Sequence, residues 1–429
     1  LTTALGTSLV NTLFVLDEPS IGLHSRDIGR LIGVLKRLRD AGNTLVVVEH
    51  DPEVIRAADR VLDLGPGPGE RGGEVVSFGT LSHLLRTRRS LTAQYLSGRR
   101  RVSPALPHAK ALPPPSSSRR LVVLGAAEHN LKRIDVALPL EQLVCVTGVS
   151  GSGKSTLVHD VLYMALRKLK HRPIDMPGKH RAISGHEQIG DVVMVDQSPI
   201  GKTTRSNPAS YVGALGPIRS LFAAEPLARR RRYTAGTFSH NAGNGRCATC
   251  SGNGFQHIEM QFLSDVYLRC PDCDGRRFRR EVLQVKLRGH HSIADILEMT
   301  VDDACEFFSS DKEVLRALAP LRAVGLGYLR LGQPVPTLSG GEAQRLKLAG
   351  HLARAKGGRK PSSGNCLFLF DEPTTGLHFD DIATLLRALR QLIAEGHSVV
   401  VVEHNLDVIA AADWIVDLGP EGGADGGTV

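Results

Sequence analysis

The segment with the most specific chemistry in this chain is Gly148–Ser155, which reads GVSGSGKS. It fits the pattern G-x-x-x-x-G-K-[ST], and it lies between an apolar run typical of a strand and a segment with helical periodicity. Glycines allow successive backbone N–H groups to converge on phosphate oxygens, while the lysine can reach the terminal phosphates and the serine can ligate Mg2+. The sequence therefore predicts a site for nucleotide phosphates at Gly148, Gly151, Gly153, Lys154, Ser155 and Thr156.

Three further polar groups follow apolar runs later in the chain. Asp371 ends the run Leu367–Phe370, where a carboxylate that holds Mg2+ belongs in such a sheet, and Glu372 beside it could polarise an attacking water. His404 follows the run Val399–Val402 and could sense a terminal phosphate. The alternatives are that the two acidic residues only mark the boundary between a strand and a turn, and that the histidine is structural.

Parts of the chain occur twice, at an offset of 354 positions. The first copy has the residues that correspond to the acidic pair and to the histidine, but only the second copy carries a glycine-rich phosphate loop. The chain therefore contains parts of two copies of one nucleotide-binding unit. The matching segments are Leu16–His24 with Phe370–His378, Val48–His50 with Val402–His404, and Asp63–Pro66 with Asp417–Pro420.

Four of the seven cysteines form two C-x2-C pairs, Cys247 with Cys250 and Cys270 with Cys273. Two thiolate pairs on turns rich in glycine and proline can close a tetrahedron around Zn2+, as in a zinc ribbon. The alternatives are two disulfides or buried free thiols, and reduced cytosolic thiols argue against the disulfides. The remaining cysteines stand in apolar surroundings and are expected in the core: Cys145, Cys305 and Cys366.

The composition limits the classes of protein that the chain can represent. Its 429 residues are enough for roughly two to four domains. Hydrophobic residues make up 41%, yet no run approaches the roughly 20 apolar residues that span a bilayer. No secretory signal is recognisable, so we expect a cytoplasmic protein whose front is missing. The net charge of +9 and the pI near 9.3 favour an anionic partner such as nucleic acid.

The order of apolar runs predicts an α/β fold with a mixed or parallel sheet core. Residues 13–16 and 44–49 are predicted as buried strands on either side of a helix from Asp27 to Asp40, and the same order recurs from Cys366 to Glu403. The predicted regions are a partial first unit at 1–98, a linker rich in Pro and Ser at 99–120, a second unit at 121–429, and within it an insertion at about 176–310 that contains a zinc module at 245–280.

Residues 338–345, LSGGEAQR, are similar to the signature sequence of ABC-type ATPases, and with the phosphate loop, Asp371, Glu372 and His404 they complete that family's set. The order of phosphate loop, tetracysteine insertion and signature resembles the C-terminal portion of the UvrA family, the damage-sensing ATPase subunits of the bacterial excision-repair nuclease. The resemblance covers nearly the whole chain. Further segments that look like this family are 195–201, 205–209, 262–267 and 324–328.

The resemblance implies an ABC-type P-loop ATPase that recognises DNA damage in nucleotide excision repair and uses ATP, Mg2+ and a structural Zn2+. It assigns Gln197 to a loop that couples Mg-ATP to neighbouring domains, for which the alternative is an ordinary polar loop residue. The catalytic residues would be Glu372, His404 and Gln197, and the signature would add Ser339, Gly340 and Gly341 to the nucleotide-binding set. The implied partners are damaged double-stranded DNA, the helicase-like subunit of the excision-repair nuclease and a second copy in a homodimer; no membrane partner is expected.

Several basic clusters could neutralise DNA phosphates without sequence preference, although such clusters can equally be solvated surface. They are Arg229–Arg232, Arg276–Arg277, Arg279–Arg280, and Lys202 with Arg205.

Sites of the ABC type are composite, because the phosphate loop of one unit faces the signature of the other. The first unit retains Asp17, Glu18 and His50 but has neither a phosphate loop nor a signature, so neither composite site can be completed from these residues. We therefore expect a fragment or a truncated homologue that binds nucleotide and hydrolyses it slowly. The alternatives are a non-catalytic nucleotide- and DNA-binding module, or an ABC ATPase of another process. The cysteine insertion between Lys154 and Ser339 argues against the last of these.

Overall fold

The computed structural model describes residues 10–67, 69–102, 119–196, 198, 200, 205–258, 266–356 and 365–429. The chain divides into two compact units. Unit 1 comprises Leu1–Gln197 and Lys360–Val429, and unit 2 comprises Ser198–Arg359. Unit 2 is therefore inserted in sequence between the two parts of unit 1. The domain boundaries expected from the sequence, near 98, 120, 176 and 310, remain predictions.

The strands occur in both units and are numbered here in chain order. They are β1 (Leu13–Asp17), β2 (Thr44–Val48), β3 (Val61–Gly65), β4 (Glu74–Gly79), β5 (Arg120–Ala126), β6 (Ile134–Pro139), β7 (Leu143–Gly148), β8 (Ala182–Ser184), β9 (Asp191–Val195), β10 (Phe255–Ile258), β11 (Val266–Arg269), β12 (Cys366–Asp371), β13 (Ser398–Val402) and β14 (Trp414–Leu418).

The α-helices are numbered in the same way. They are α1 (Ser25–Asp40), α2 (Pro52–Ala57), α3 (Leu81–Arg86), α4 (Leu91–Leu96), α5 (Met164–Leu169), α6 (Pro208–Tyr211), α7 (Leu215–Ala224), α8 (Pro226–Arg230), α9 (Arg280–Leu283), α10 (Ile293–Glu298), α11 (Val301–Phe307), α12 (Lys312–Ala323), α13 (Gly340–Lys356), α14 (Phe379–Ala394) and α15 (Leu406–Ala411). A π-helix at Thr156–Tyr163 follows the glycine-rich loop and continues into α5, within the segment expected to be helical.

A parallel sheet with the order β14-β7-β13-β12-β9 forms the centre of unit 1. Every residue of β7 and β13 is buried, as expected for strands that are covered on both faces. An antiparallel sheet with the order β6-β5-β8 shares one hydrophobic core with this sheet and with the π-helix. The predicted α/β fold with a mixed or parallel sheet core is confirmed.

The first copy forms a smaller substructure of unit 1, and its strands differ from the prediction. β1 and β2 pair in parallel and flank α1 in sequence, as expected. The prediction that both strands are buried is wrong, because their residues are exposed or half-buried, with Leu13 60% and Val15 67% exposed. The equivalent strands β12 and β13 lie between β9 and β7. Within the described ranges β1 and β2 pair only with each other, so this sheet has two strands where the equivalent strands belong to a sheet of five.

The first copy packs against the second through helices as well as through turns. The ring of Tyr95 on α4 stacks on Phe379 with centroids 5.2 Å apart, and its hydroxyl donates to Asp380 at 2.9 Å. Burial and this hydrogen bond raise the pKa of Tyr95 to about 12. The two copies therefore form one packed body within unit 1.

Unit 2 is mainly helical and contains a short antiparallel ribbon of β10 and β11. Helices α11 and α12 follow each other in this unit and are separated by a short break. Long helix α13 begins at the signature sequence. None of the helices in the described parts of either unit is long and apolar enough to cross a membrane.

Candidate nucleotide site and cysteine cluster

The central sheet brings the predicted catalytic groups of the second copy to one edge. The register pairs Val402 with Val146 and Asp371 with Val402, so β7, β12 and β13 end at the same edge. The glycine-rich loop follows β7, Asp371 ends β12, and His404 lies two residues after β13. Parallel strands of this kind form their ligand sites at the carboxyl edge. The structure thus unites the loop, both carboxylates and the histidine, as the spacing predicted.

The glycine-rich loop has a backbone that only glycine can adopt at its first position. Gly148 has a φ of +136°, and a Cβ added there would lie 2.0 Å from the carbonyl oxygen of Leu418. The side-chain amide of Asn130 donates to the carbonyl of Gly151 at 2.9 Å and supports the loop from outside. The loop is therefore tightly held between two other segments of unit 1.

Lys154 lies inside this loop and is only 6% exposed. Its Nζ donates to the carbonyl oxygens of Gly148 at 3.0 Å and Val149 at 2.9 Å. Burial lowers the pKa of Lys154, while the carboxylates of Glu372 and Asp371 act in the opposite direction. The ammonium group thus stands between the loop carbonyls and the acidic pair.

Glu372 and His404 form a close pair, with Nε2 of the histidine 3.6 Å from Oε1 of the glutamate. The contact with the His404 ring lowers the pKa of Glu372 against the effect of burial. The pKa of Asp371 is raised, first by burial and then by the neighbouring charge of Glu372. Nδ1 of His404 is buried and has no hydrogen-bond partner within the ranges that the structure describes. The pair can therefore offer a charged carboxylate, held by the histidine, to a ligand.

The first copy holds the equivalent pair in almost the same geometry. Nε2 of His50 lies 3.9 Å from Oε1 of Glu18, and both Glu18 and Glu372 have a φ of +43°. Such a backbone costs a non-glycine residue on the order of 1–3 kcal/mol and is typical of functional sites. The pKa of Glu18 is nevertheless raised by burial, whereas that of Glu372 is lowered. The closer histidine of the second copy, together with Lys154, accounts for this difference.

A turn of the first copy contacts the phosphate loop of the second copy, a contact that no sequence pattern predicted. Ser150 in the loop donates through Oγ to the carbonyl of Gly22 at 3.3 Å and accepts from the backbone N–H of His24 at 3.4 Å. The ring of His24 meets that of His404 edge-on, with centroids 5.8 Å apart. The first copy thus supplies part of the surroundings of the second copy's site.

The contact is repeated in the opposite direction with the copies exchanged. A Cβ on Gly22 would lie 3.5 Å from Oε2 of Glu372, and a Cβ on Gly376 would lie 3.0 Å from Oε1 of Glu18. Both glycines have a positive φ, +68° and +67°, a backbone conformation that favours glycine. The signal for this contact in the sequence was the glycine three residues after the Asp-Glu-Pro of each copy. We call 20–24 and 374–378 the crossing turns.

The signature residues lie in unit 2 at the start of α13. Ser339 and Glu342 exchange hydrogen bonds with each other's backbone N–H, and Tyr328 donates to Glu342 at 2.7 Å. This mutual capping fixes the beginning of the helix. The assignment of Ser339, Gly340 and Gly341 to nucleotide contact remains a prediction. Gln197 lies outside the described residues, and its coupling role also remains a prediction.

The four paired cysteines of unit 2 converge as the spacing predicted. All four sulfur atoms are buried and lie within 4.8 Å of one another. Sγ of Cys247 is 3.9 Å from that of Cys270, and Sγ of Cys250 is 3.6 Å from that of Cys273. Zn–S bonds of about 2.3 Å in a tetrahedron place sulfurs about 3.8 Å apart, so the four ligands fit this ion. These separations are far longer than an S–S bond of about 2.05 Å, which excludes the alternative of two disulfides.

The cysteines expected in the core differ in burial. Cys145 and Cys305 are buried, and burial raises the pKa of Cys145 to about 12. Cys366 is only half-buried. The first two predictions are confirmed, and the third is only partly correct.

Arg277 was grouped with the basic clusters that could contact DNA, and this interpretation is wrong. Its side chain is 5% exposed and donates through Nη2 to the carbonyl of Gly332 at 2.8 Å. Its backbone carbonyl accepts from the N–H of Cys247 at 2.8 Å. Arg277 therefore joins the cysteine cluster to the loop that precedes α13, whereas its neighbours Arg276 and Arg279 are exposed.

The sequence is similar over its whole length to curated proteins named UvrABC system protein A. It is 53% identical to the protein of Thermus thermophilus over 434 residues and 55% identical to that of Methanothermobacter thermautotrophicus over 430 residues. These matches cover 100% of this chain but 44% and 43% of the relatives, so the chain spans less than half of their length. No protein-family model matches the sequence.

A solved structure agrees with these relatives. The fold is similar to the crystal structure of UvrA2 from Deinococcus radiodurans, with a TM-score of 0.88 and 45% identity. The superposition covers 99% of this chain and 50% of that chain. Because sequence and fold agree over the full length of the chain, it belongs to the UvrA family.

Proposed function

We propose that this chain binds ATP with Mg2+ at the edge of its central sheet and, as part of an ABC-type ATPase, recognises damaged DNA in nucleotide excision repair. The observation that carries the proposal is the convergence of the glycine-rich loop, Asp371, Glu372 and His404 at one sheet edge. The similarity to the UvrABC proteins supports the excision-repair context. The corresponding partners are damaged double-stranded DNA, the helicase-like subunit of the nuclease and a second copy in a homodimer.

The residues of the site would divide the work of binding between them. Backbone N–H groups of the loop face the phosphates, and Lys154 exchanges its two carbonyl contacts for phosphate oxygens. Ser155 and Asp371 would hold the Mg2+, which would supply charge stabilisation at the terminal phosphates. Glu372, which His404 and Lys154 keep ionised, would orient a water molecule, and the His404 ring beside it would contact the terminal phosphate.

Nucleotide-dependent binding to damaged and undamaged duplexes tests this proposal. We expect ATP to change the affinity for a duplex with a bulky thymine adduct more than the affinity for the same duplex without it. Chelation of zinc should reduce the difference, because the cysteine cluster belongs to the same unit as the signature. Equal affinities for both duplexes, with and without ATP, would reject the proposal.

If exposed arginines of unit 2 contact DNA, the affinity for DNA should fall as the salt concentration rises. Arg229, Arg230 and Arg232 are exposed. Each phosphate contact contributes about −0.9 to the slope of log affinity against log salt concentration. We expect a double substitution, Arg230→Ala with Arg232→Ala, to reduce this slope by about 2. The measurement is fluorescence anisotropy of a labelled duplex between low and high salt.

A matched control for this measurement is Arg316→Ala, which removes an exposed arginine from α12 of the same unit. The control should retain the parent slope. An unchanged slope in the double variant would show that these arginines are solvated surface.

A second candidate function is a nucleotide- and DNA-binding module without turnover. It differs from the first candidate only in the turnover step, which is assigned to Glu372. Binding of ATP at the site of Lys154 without release of phosphate would support this candidate. Steady release of phosphate that stops in Glu372→Gln would support the ATPase.

A further inference from the structure

Two carboxylates that the proposed reaction does not use occupy equivalent positions in the two copies. Glu49 and Glu403 each immediately precede the histidine of their copy. Glu403 is 2% exposed, a degree of burial that a carboxylate tolerates only when its oxygens are hydrogen-bonded. Both side chains accept hydrogen bonds from two different segments, and the pattern is the same in both copies.

Glu49 connects the strand end of the first copy to its crossing turn. Its carboxylate accepts from the backbone N–H and the hydroxyl of Ser20, each at 2.8 Å. The same carboxylate accepts from the backbone N–H groups of His50 at 3.1 Å and Asp51 at 3.3 Å. One side chain therefore holds the beginning of the crossing turn and the backbone of the histidine in a single arrangement.

Glu403 makes the same connection in the second copy. It accepts from the backbone N–H of Thr374 at 2.8 Å and from its hydroxyl at 2.6 Å. It also accepts from the backbone N–H groups of His404 at 2.9 Å and Asn405 at 3.1 Å. Because two copies with different surroundings preserve the same four donors, the arrangement is a property of the unit and not of one local environment.

Each crossing turn that is anchored in this way ends on the other copy. From Ser20, the turn of the first copy continues to Gly22 and His24, which hydrogen-bond Ser150 in the phosphate loop of the second copy. From Thr374, the turn of the second copy continues to Gly376, which approaches Glu18 of the first copy. Each carboxylate therefore holds the first residue of a turn that contacts the site of the other copy.

We infer that Glu49 and Glu403 are positioning residues that couple the two nucleotide-binding copies, each holding its own crossing turn against the site of the other copy. The inference rests on the proposed function, because it takes the phosphate loop of the second copy to bind ATP. Glu49 acts through Ser20, the crossing turn and Ser150, and it touches no nucleotide. A substitution at Glu49, in the first copy, should therefore change nucleotide affinity at the Lys154 site of the second copy.

A carboxyl group is the side chain suited to this role. Its two oxygens accept all four donors, whereas a glutamine of the same size offers one acceptor oxygen and turns an NH2 group towards donors. Glu49→Gln thus breaks part of the arrangement with little change in volume. Ser20→Ala is a milder change, because it removes only the hydroxyl donor.

The test measures the affinity of the full chain for a fluorescent ATP analogue with Mg2+. We expect Glu49→Gln to weaken binding about tenfold, within the range usual for coupling between sites. Ser20→Ala should weaken it about threefold, because it removes one of four donors and leaves the backbone donors to Glu49 in place. Thermal unfolding of each nucleotide-free variant shows whether it is folded. If Glu49→Gln fails to fold, Ser20→Ala carries the test.

A double-mutant cycle separates coupling from a general structural defect. If Glu49 acts through Ser150, the two losses should not add. The variant with both Glu49→Gln and Ser150→Ala should then have the same affinity as the single variant that binds less tightly. Additive losses would contradict the inference. The matched control is Glu53→Gln, an exposed glutamate on α2 that should bind as the parent does.

The outcomes distinguish this inference from the proposed function. If the parent chain binds no nucleotide, or if Lys154→Ala binds as the parent does, the proposed nucleotide site is wrong. If the parent binds, Lys154→Ala does not, and both Glu49→Gln and Ser20→Ala bind as the parent does, only the coupling role is overturned.

Discussion

Replacing Lys154 by alanine should abolish measurable binding of ATP to this chain. The ammonium group is buried in the glycine-rich loop, at hydrogen-bond distance from two carbonyl oxygens, and it is placed to bond phosphate oxygens instead. Loss of two charge-assisted hydrogen bonds costs about 3 kcal/mol or more, which is roughly a hundredfold or more in the dissociation constant. Isothermal titration calorimetry with ATP and Mg2+ measures this change.

Two other variants make the result specific. Lys168→Ala removes an exposed lysine on α5 and should leave the affinity unchanged. Glu372→Gln leaves the loop intact and should retain binding, since the carboxylate is assigned to the water and not to the phosphates. Binding that survives in Lys154→Ala would mean that the loop is not the phosphate site.

Removal of zinc should strongly lower the free energy of unfolding of unit 2. The separations of the four buried sulfurs match a tetrahedral Zn2+ site, in which the metal balances the charge of their thiolates. Structural zinc sites contribute apparent free energies on the order of 10 kcal/mol at neutral pH. We expect Cys250→Ser to lack bound zinc by atomic absorption and to unfold at a lower urea concentration than the parent.

The matched control is Cys366→Ser, because Cys366 is a half-buried cysteine outside the cluster. This variant should bind as much zinc as the parent and should unfold close to it. A full zinc content in Cys250→Ser would remove the proposed metal site.

The features of the candidate site that the sequence indicated and the structure brings together are mostly patterns of residues close together in the sequence. The glycine-rich loop needs glycines and a lysine at fixed short spacing, and the paired cysteines need two residues between members of each pair. The positions of Asp371 and His404 followed from a further rule, that parallel strands end at one edge of the sheet. The loop and the cysteine pairs are carried by local backbone geometry, whereas the meeting of strand ends depends on how the strands pair in the sheet.

The predictions that were wrong concern the burial of side chains. The runs of β1 and β2 are as apolar as those of β12 and β13, yet their side chains are exposed where those of the second copy are buried. Likewise, Arg277 has the same type as its exposed neighbours, but its side chain is buried against Gly332. Burial depends on which distant segments pack on a residue, and hydrophobicity or charge alone does not contain that information.

The sequence by itself determined the family, the phosphate loop, the four thiols and the repeat, because each is written as residue types at short, fixed intervals. Only the tertiary structure decided that the crossing turn of one copy contacts the phosphate loop of the other and that Glu49 and Glu403 anchor these turns. The contacting residues Gly22 and Ser150 are 128 positions apart. Such a contact arises from the packing of two folded copies, and no local pattern of residues specifies it.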